Sequence, residues 1–154
     1  MPGKITDGEY RALAELRYRI RRFVQEGDAT TRRLELEPQQ YLLLLAIKGL
    51  PAGREATIRT LAERLSLQHH STVELVDRME TRGYVKRARG REDRRQVLVS
   101  LQPRGEKVLE QVVEKRIVEL RSSGRALVEA ISSLLEPRRA APRQQMAKRK
   151  KATQ

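Results

Sequence analysis

The apolar period of this chain changes abruptly at Gly83, and that change restricts the possible fold more than any other feature. Before it, RTLAERLSL (59–67) places Leu61, Ala62 and Leu65 on one helical face, and STVELVDRMETRG (71–83) keeps Val73, Val76, Met79 and Glu80 in helical register. Only a few residues connect the two helices. Gly83 suits a helix C-terminal stop, and directly after it the period falls from about 3.6 to 2. YVKRA then reads as a strand, GREDRR as a polar, glycine-led turn, and QVLVSL as a second strand with Val97, Val99 and Leu101 alternating. Two helices across a short turn thus run straight into a β-hairpin with an arginine-loaded tip.

The flanks are helical. From Asp7 to about Thr31 the apolar residues Tyr10, Leu13, Leu16, Ile20 and Phe23 or Val24 fall in steps of three and four, with Arg11, Arg19 and Arg22 on the other faces. Pro38 at a first turn and Gly49 at the end bracket a short helix that is apolar almost all round, which predicts burial, with Leu42 to Leu45 in the core. A turn at Pro51 to Gly53 follows, and Ala56 to Ile58 is short enough for a single edge-strand turn. After Pro103 a helical seam returns with Leu109, Val112 or Val113, Arg116 or Ile117, and Leu120. Beyond Ser122, Ser123 and Gly124 come Leu127, Ile131 and Leu134 or Leu135, so one long helix with a weak hinge at Gly124 and two separate helices fit equally well.

Charge narrows the choice of partner. The 154 residues hold 33 Lys+Arg against 20 Asp+Glu, a formal net charge of +13, which favours anionic partners. Residues 77–104 carry nine basic and four acidic side chains, and residues 138–154 carry seven basic and no acidic ones. The second of these segments has no periodic apolar positions to offset its ordering entropy and reads as a disordered basic tail. The first lies on a structured hairpin and is the better specific site. The absence of cysteine excludes disulfides, thiolate metal sites, a Cys nucleophile and thiol redox sensing. The longest apolar run, Leu42 to Ile47, is far below the ~20 residues of a membrane span, and no apolar signal region is present, so a cytoplasmic protein without membrane attachment is expected. Only 38% of residues are hydrophobic and 3% aromatic, so the core must be built mainly from Leu and Val and is expected to be shared between subunits.

A helix, tight turn, helix and hairpin is the arrangement of a winged helix-turn-helix, in which the second helix enters the major groove and the hairpin an adjacent minor groove. With TIRTLAERLSLQHHSTVELVDRMETRGYVKR followed by EDRRQVLVSLQPRG, the chain resembles the MarR family of transcriptional regulators over residues 7 to 135. The fold class is then mainly α with a small β-hairpin wing. An N-terminal dimerisation helix would occupy residues 1–37, the DNA-binding domain 38–102, a C-terminal dimerisation helix or helices 103–137, and the tail 138–154. The resemblance implies a homodimer on double-stranded DNA at a pseudo-palindromic operator, with half-sites about one helical turn apart.

It also implies roles for particular residues. Gln68, His69, His70, Ser71 and Thr72 match the start of the recognition helix, and Asp93 and Arg95 match an Asp-x-Arg wing tip. Arg95 would enter the minor groove, held by an ion pair to Asp93, while Arg91 and Arg94 would contact phosphates. The adjacent histidines look like chemistry, yet no third histidine and no cysteine exists to complete a metal site or triad, and neighbours on a helix diverge by about 100°. DNA contact is the better reading, and no enzyme, cofactor or metal is expected.

Several local signals conflict with the resemblance. Ser71-x-x-Glu74 is also a capping box, which would start the helix two residues later. Glu74 would repel phosphate unless it caps the helix or pairs with Arg78. Asp77, Arg78, Glu80 and Arg82 read equally well as a charged helix face, and Gln102 stands where the family has a capping Thr. Family members bind small phenolic or anionic effectors between the dimer helices and the DNA lobe, which would draw on Tyr18, Arg21 and Tyr41 here. The function expected is a dimeric, sequence-specific transcription regulator acting as a repressor and released by such an effector. An architectural nucleic-acid-binding protein is the alternative.

Overall fold

The computed structural model describes residues 3–136. The basic segment 138–154, expected as a tail, lies outside the described residues. Five helices and one hairpin follow in order: α1 (Asp7–Arg33), α2 (Pro38–Lys48), α3 (Ile58–Leu65), α4 (His69–Thr81), β1 (Val85–Arg89), β2 (Val97–Leu101) and α5 (Pro103–Leu135). The fold class is mainly α with a winged helix-turn-helix at its centre.

Local chemistry sets most of the helix ends. Thr6 and Glu9 form a reciprocal capping box before α1, the Thr6 N–H donating to Glu9 Oε2 at 2.7 Å. Pro38 opens α2. Thr57 caps α3 by accepting from the Thr60 N–H at 3.1 Å. Ser66, in the left-handed region at φ 53°, turns the chain between α3 and α4, and the Leu67 N–H closes that turn on the Ala62 carbonyl. Gly83 at φ 74° ends α4 and lets the chain reverse into the hairpin, a conformation that strains any residue with a Cβ. Gln102 gives α5 no side-chain cap, leaving Pro103 as the local start signal.

The hairpin is antiparallel with Val85 opposite Leu101, Arg87 opposite Val99 and Arg89 opposite Val97. A single bridge from Thr57 to Leu98, with the Val99 N–H donating to the Ala56 carbonyl at 2.9 Å, ties it to the segment before α3. Leu36, Leu43, Leu44, Leu61, Leu75, Val76 and Met79 build the core with Tyr84, Val85 and Val99 of the hairpin and Leu109 and Val112 of α5.

Two expectations change here, and of the two alternatives for the last helical segment one is found. Leu43 and Leu44 are fully buried, but Leu42 and Leu45 are 46% and 36% exposed, because α2 faces the core on one side and an open cleft on the other. Leu109 and Val112 are buried within the single chain, so the exposed apolar seam of α5 begins only beyond them, at Ile117, Val118 and Leu120, and resumes at Val128 and Ile131. The α5 helix also runs unbroken through Gly124. Helix α1 packs along α5, yet its own buried residues are Gly27, Thr30 and Thr31, and Tyr10, Leu13, Ile20 and Val24 stay exposed.

Candidate nucleic-acid interface

Helix α4 starts at His69 with extended Gln68 as its N-cap, so Ser71 lies inside the first turn and the Ser71/Glu74 capping box does not form. The Thr72 hydroxyl donates to the Gln68 carbonyl at 3.0 Å and its side chain is fully buried, which removes Thr72 from the groove-facing set. Gln68, His69 and His70 are exposed and Ser71 is half-buried. Glu74 and Arg78 are exposed further along α4, and the expected Glu74–Arg78 ion pair is not among those formed by the described residues. The helix thus presents His69, His70, Glu74 and Arg78 to solvent over a face of Thr72, Leu75, Val76 and Met79 packed inward.

The wing tip is organised by its backbone. The Gly90 N–H donates to the Gln96 carbonyl at 2.9 Å, and the Gln96 N–H to the Asp93 carbonyl at 3.1 Å. Asp93 Oδ1 accepts the Arg95 N–H at 2.9 Å. This corrects the expected Asp93–Arg95 ion pair: the carboxylate fixes the turn and leaves the guanidinium outside it. Arg91, Arg94 and Arg95 are all exposed, and no carboxylate among the described residues pairs with them. Three permanent cations on a braced turn are suited to an anionic groove.

Wing and helix are joined by a clamp that sequence reasoning missed. Arg87 of β1 reaches back across the Gly83 turn, donating to Asp77 Oδ1 and Glu80 Oε2 of α4, each at 2.5 Å. Its own backbone N–H donates to Glu80 Oε1 at 3.1 Å. Burial works against the charge of this guanidinium, and the two carboxylates outweigh it and hold it above its ordinary value. Arg82 plays a similar part at the end of α4. It stacks over Tyr84 at 4.8 Å and donates to Gln40 Oε1 of α2 at 2.9 Å and to the Glu35 carbonyl at 3.1 Å. The charged cluster read as a helix face is therefore largely a set of fasteners. The available signal was the i, i+3 pair Asp77 and Glu80 followed by an arginine on the next strand.

A second feature lies away from the wing. A cleft of 480 Å3 opens between α1, α2 and α5, walled by Phe23, Val24, Leu42, Leu45 and Ile117, with Tyr41 and Arg116 as polar edges. Of the three residues expected to line an effector site, Tyr41 does so, whereas Tyr18 and Arg21 are exposed and lie outside it. Arg116 was assigned only to an apolar seam. Its guanidinium lies over the Phe23 ring at 4.6 Å, donates to Glu119 Oε2 at 2.5 Å and reaches the Phe23 carbonyl at 3.4 Å. It rests against Gly27, where any Cβ would collide with it. Glu119 also accepts from the buried Thr30 hydroxyl. Burial pushes the Glu119 carboxyl up, but the bonds from Thr30 and Arg116 and the charges of Arg116 and Arg33 leave it below the usual carboxylate range. Burial raises the Tyr41 hydroxyl above its ordinary value despite the opposing effect of Arg116. No group of three or more His, Cys, Asp and Glu able to hold a metal occurs among the described residues, and no described helix is long and apolar enough to cross a membrane.

Residues 34–96 match the sequence pattern of the MarR family. The chain is 29% identical over 92 residues to the uncharacterized HTH-type transcriptional regulator YsmB of Bacillus subtilis, a match covering 60% of this chain and 61% of that protein. Among solved structures it resembles AbsC, a MarR family transcriptional regulator from Streptomyces coelicolor, with a TM-score of 0.70 at 19% identity over 86% of this chain and 90% of the other. It also resembles a variant of MepR from S. aureus bound to an oligodeoxyribonucleotide, with a TM-score of 0.58 at 19% identity over 86% of this chain and all 100% of that one.

Proposed function

We propose that this chain, whose residues 34–96 match the MarR family, is a homodimeric, sequence-specific transcription regulator of that family that binds double-stranded DNA at a pseudo-palindromic operator in the cytoplasm. The observation that carries this reading is the wing tip, where Arg91, Arg94 and Arg95 stand without carboxylate partners beside a helix whose exposed start is Gln68, His69 and His70. In this reading Arg95 enters the minor groove while the first turn of α4 meets base edges in the major groove. The MepR variant of the same fold, bound to an oligodeoxyribonucleotide, supports DNA as the partner.

The terminal helices supply the dimer in this proposal. Tyr10, Leu13 and Val24 of α1 and Val118, Leu120 and Val128 of α5 are exposed apolar side chains on two long helices, and covering them with a second copy gains about 25 cal/mol for each Å2 of apolar surface buried. The cleft beside Tyr41 is the place for an effector that releases the DNA, and repression is the mode assigned. Binding rather than catalysis is the proposed activity. Selection of bound sequences from a random DNA pool tests the reading. Enrichment of a two-fold symmetric site with half-sites about one helical turn apart is the expected result. Uniform retention of all sequences would instead mean an architectural DNA-coating protein.

A further inference from the structure

Glu74 stands in the second turn of α4, and both structural uses open to it fail. The cap it would close with Ser71 does not form, because α4 starts at His69. Arg78, the cation one turn further on, lines a hollow with Asp28, Glu37 and Gln40 where α1 and α2 meet α4. The Glu74 carboxylate is exposed and has no hydrogen bond or ion pair among the described residues. At about 100° per residue it lies within about 30° of the direction opposite the buried Thr72, Leu75, Val76 and Met79, with His70 beside it. Asp77, the other acid on that side, is already paired with Arg87. We propose that Glu74 is a base-reading residue of α4 that selects cytosine at one position in each operator half-site. The inference rests on the reading of the protein as a sequence-specific DNA-binding regulator, and it adds the base that one of its side chains demands.

The physical reason is that an unpaired carboxylate is costly in a groove walled by phosphates. It loses hydration and meets like charge, so it weakens binding to every sequence unless a base edge donates to it. The major groove offers two such donors, the N4 amine of cytosine and the N6 amine of adenine. Adenine carries the N7 acceptor beside its amine, which repels a carboxylate, whereas guanine and thymine present only acceptors. Cytosine alone presents a donor with no acceptor on the same base edge. Glu74 thus penalises three bases and accepts the fourth, and its specificity comes from repulsion as much as from attraction. The rise from His70 to Glu74 is about 6 Å, or about two base-pair steps, so the two side chains meet different positions and the cytosine preference is confined to one of them.

The test selects bound duplexes from a random pool with the full chain as wild type, Glu74→Gln and Glu74→Ala. Each protein is then titrated by fluorescence anisotropy on the wild-type site and on copies altered at the selected cytosine in both half-sites. Because Glu74 is exposed and unpaired among the described residues, all three proteins should share one helical circular dichroism spectrum and one Tm. The wild type is expected to enrich a cytosine once per half-site and to lose at least tenfold in affinity when it is replaced. Glu74→Gln should select adenine there instead, since a carboxamide accepts from N6 and donates to N7. Glu74→Ala should bind all four versions within threefold of one another, with every other position of the site unchanged. A symmetric site without that cytosine, or one base preference common to all three proteins, overturns the role of Glu74 and leaves the regulator reading standing. Variants that gain equally on every sequence while keeping the cytosine preference do the same, because the carboxylate then only repels phosphate. Uniform retention of all sequences by the wild type sinks the regulator reading and this inference together.

Discussion

Replacing Arg87 by Gln should uncouple the wing from α4, the two elements proposed to contact DNA, without unfolding the protein. The substitution removes the guanidinium contacts to Asp77, Glu80 and the Val73 carbonyl but keeps the backbone N–H bond to Glu80. The Arg87 side chain is 25% exposed while Asp77 and Glu80 are 58% and 39% exposed, so the pairs are partly screened by water. Exposed ion pairs contribute about 0.2–1 kcal/mol each, and bonds to charged groups nearer burial contribute more, which places the loss of stability at about 1–2 kcal/mol. For a chain of this size that corresponds to a fall in Tm of about 3–6 °C. The hairpin remains tied to the body through the Thr57–Leu98 bridge, so it persists but loses its fixed angle to α4. A wing free to pivot must be reordered on DNA, and operator affinity should fall about tenfold, or about 1.4 kcal/mol. The assay is a double-mutant cycle with Arg95→Ala, read by operator titration. If the clamp acts by presenting Arg95, the double variant should be little worse than either single one, with a coupling of about 1 kcal/mol. Losses that add to within about 0.5 kcal/mol, or an Arg87→Gln protein that is less stable yet binds operator like wild type, would refute the coupling.

Arg95→Ala alone should weaken operator binding by about 1–3 kcal/mol with the dimer intact, and Asp93→Ala should do part of the same by loosening the turn; fluorescence anisotropy at fixed salt checks both. Leu120→Asp combined with Val128→Asp should give a folded monomer by sedimentation, because both side chains are exposed in the protomer, whereas Leu109→Asp should unfold it. The depressed Glu119 carboxyl contributes stability above its unfolded pKa of about 4.3, and that contribution is lost as pH falls through the lower folded value. Urea melts should therefore show a gap between wild type and Glu119→Gln that is constant from neutral pH to about pH 5 and closes in stronger acid. Removing residues 138–154, with seven basic side chains and no acid, should flatten the plot of log affinity against log salt while operator preference holds. The slope should fall by up to about 0.9 for each phosphate that the segment neutralises.

Features written in neighbouring residues were legible in the sequence. The period change at Gly83, Pro38 and Gly49 around α2, and the alternation of Val97, Val99 and Leu101 each act within one element. The start of α4 was ambiguous because two caps overlapped. Tertiary packing decides it: starting at His69 turns Thr72, Leu75, Val76 and Met79 inward together, and the Leu67 N–H closes the turn on Ala62. An all-apolar helix carries no record of which face meets the core, so Leu42 and Leu45 could not be told from Leu43 and Leu44. The Leu109 seam was misplaced for a related reason, since periodicity identifies a buried face without saying whose surface buries it. Among the candidate site residues, the exposed tip arginines were readable from their turn, but the inward rotation of Thr72 and the distance of Tyr18 and Arg21 from the cleft depend on how the helices pack.

The arginines carry the same lesson into function. Arg82, Arg87 and Arg116 share their residue type with Arg91, Arg94 and Arg95, yet the first three are fasteners within the fold and the last three stand at the wing tip without a carboxylate partner. What separates them is an acceptor within reach of the guanidinium: Gln40 on α2 for Arg82, Asp77 and Glu80 on α4 for Arg87, and for Arg116 the Phe23 carbonyl on α1 together with Glu119 one turn along its own helix. A guanidinium satisfied in this way projects little field and gives rigidity instead, whereas one held on a turn by backbone bonds alone keeps its full charge for a partner. The net charge of +13 therefore overstates the fixed cationic surface. In the proposed DNA complex the short braced loop would supply the best-positioned part of that field, because the clamp at Arg87 gives the hairpin a defined position relative to α4, which carries His69 and His70.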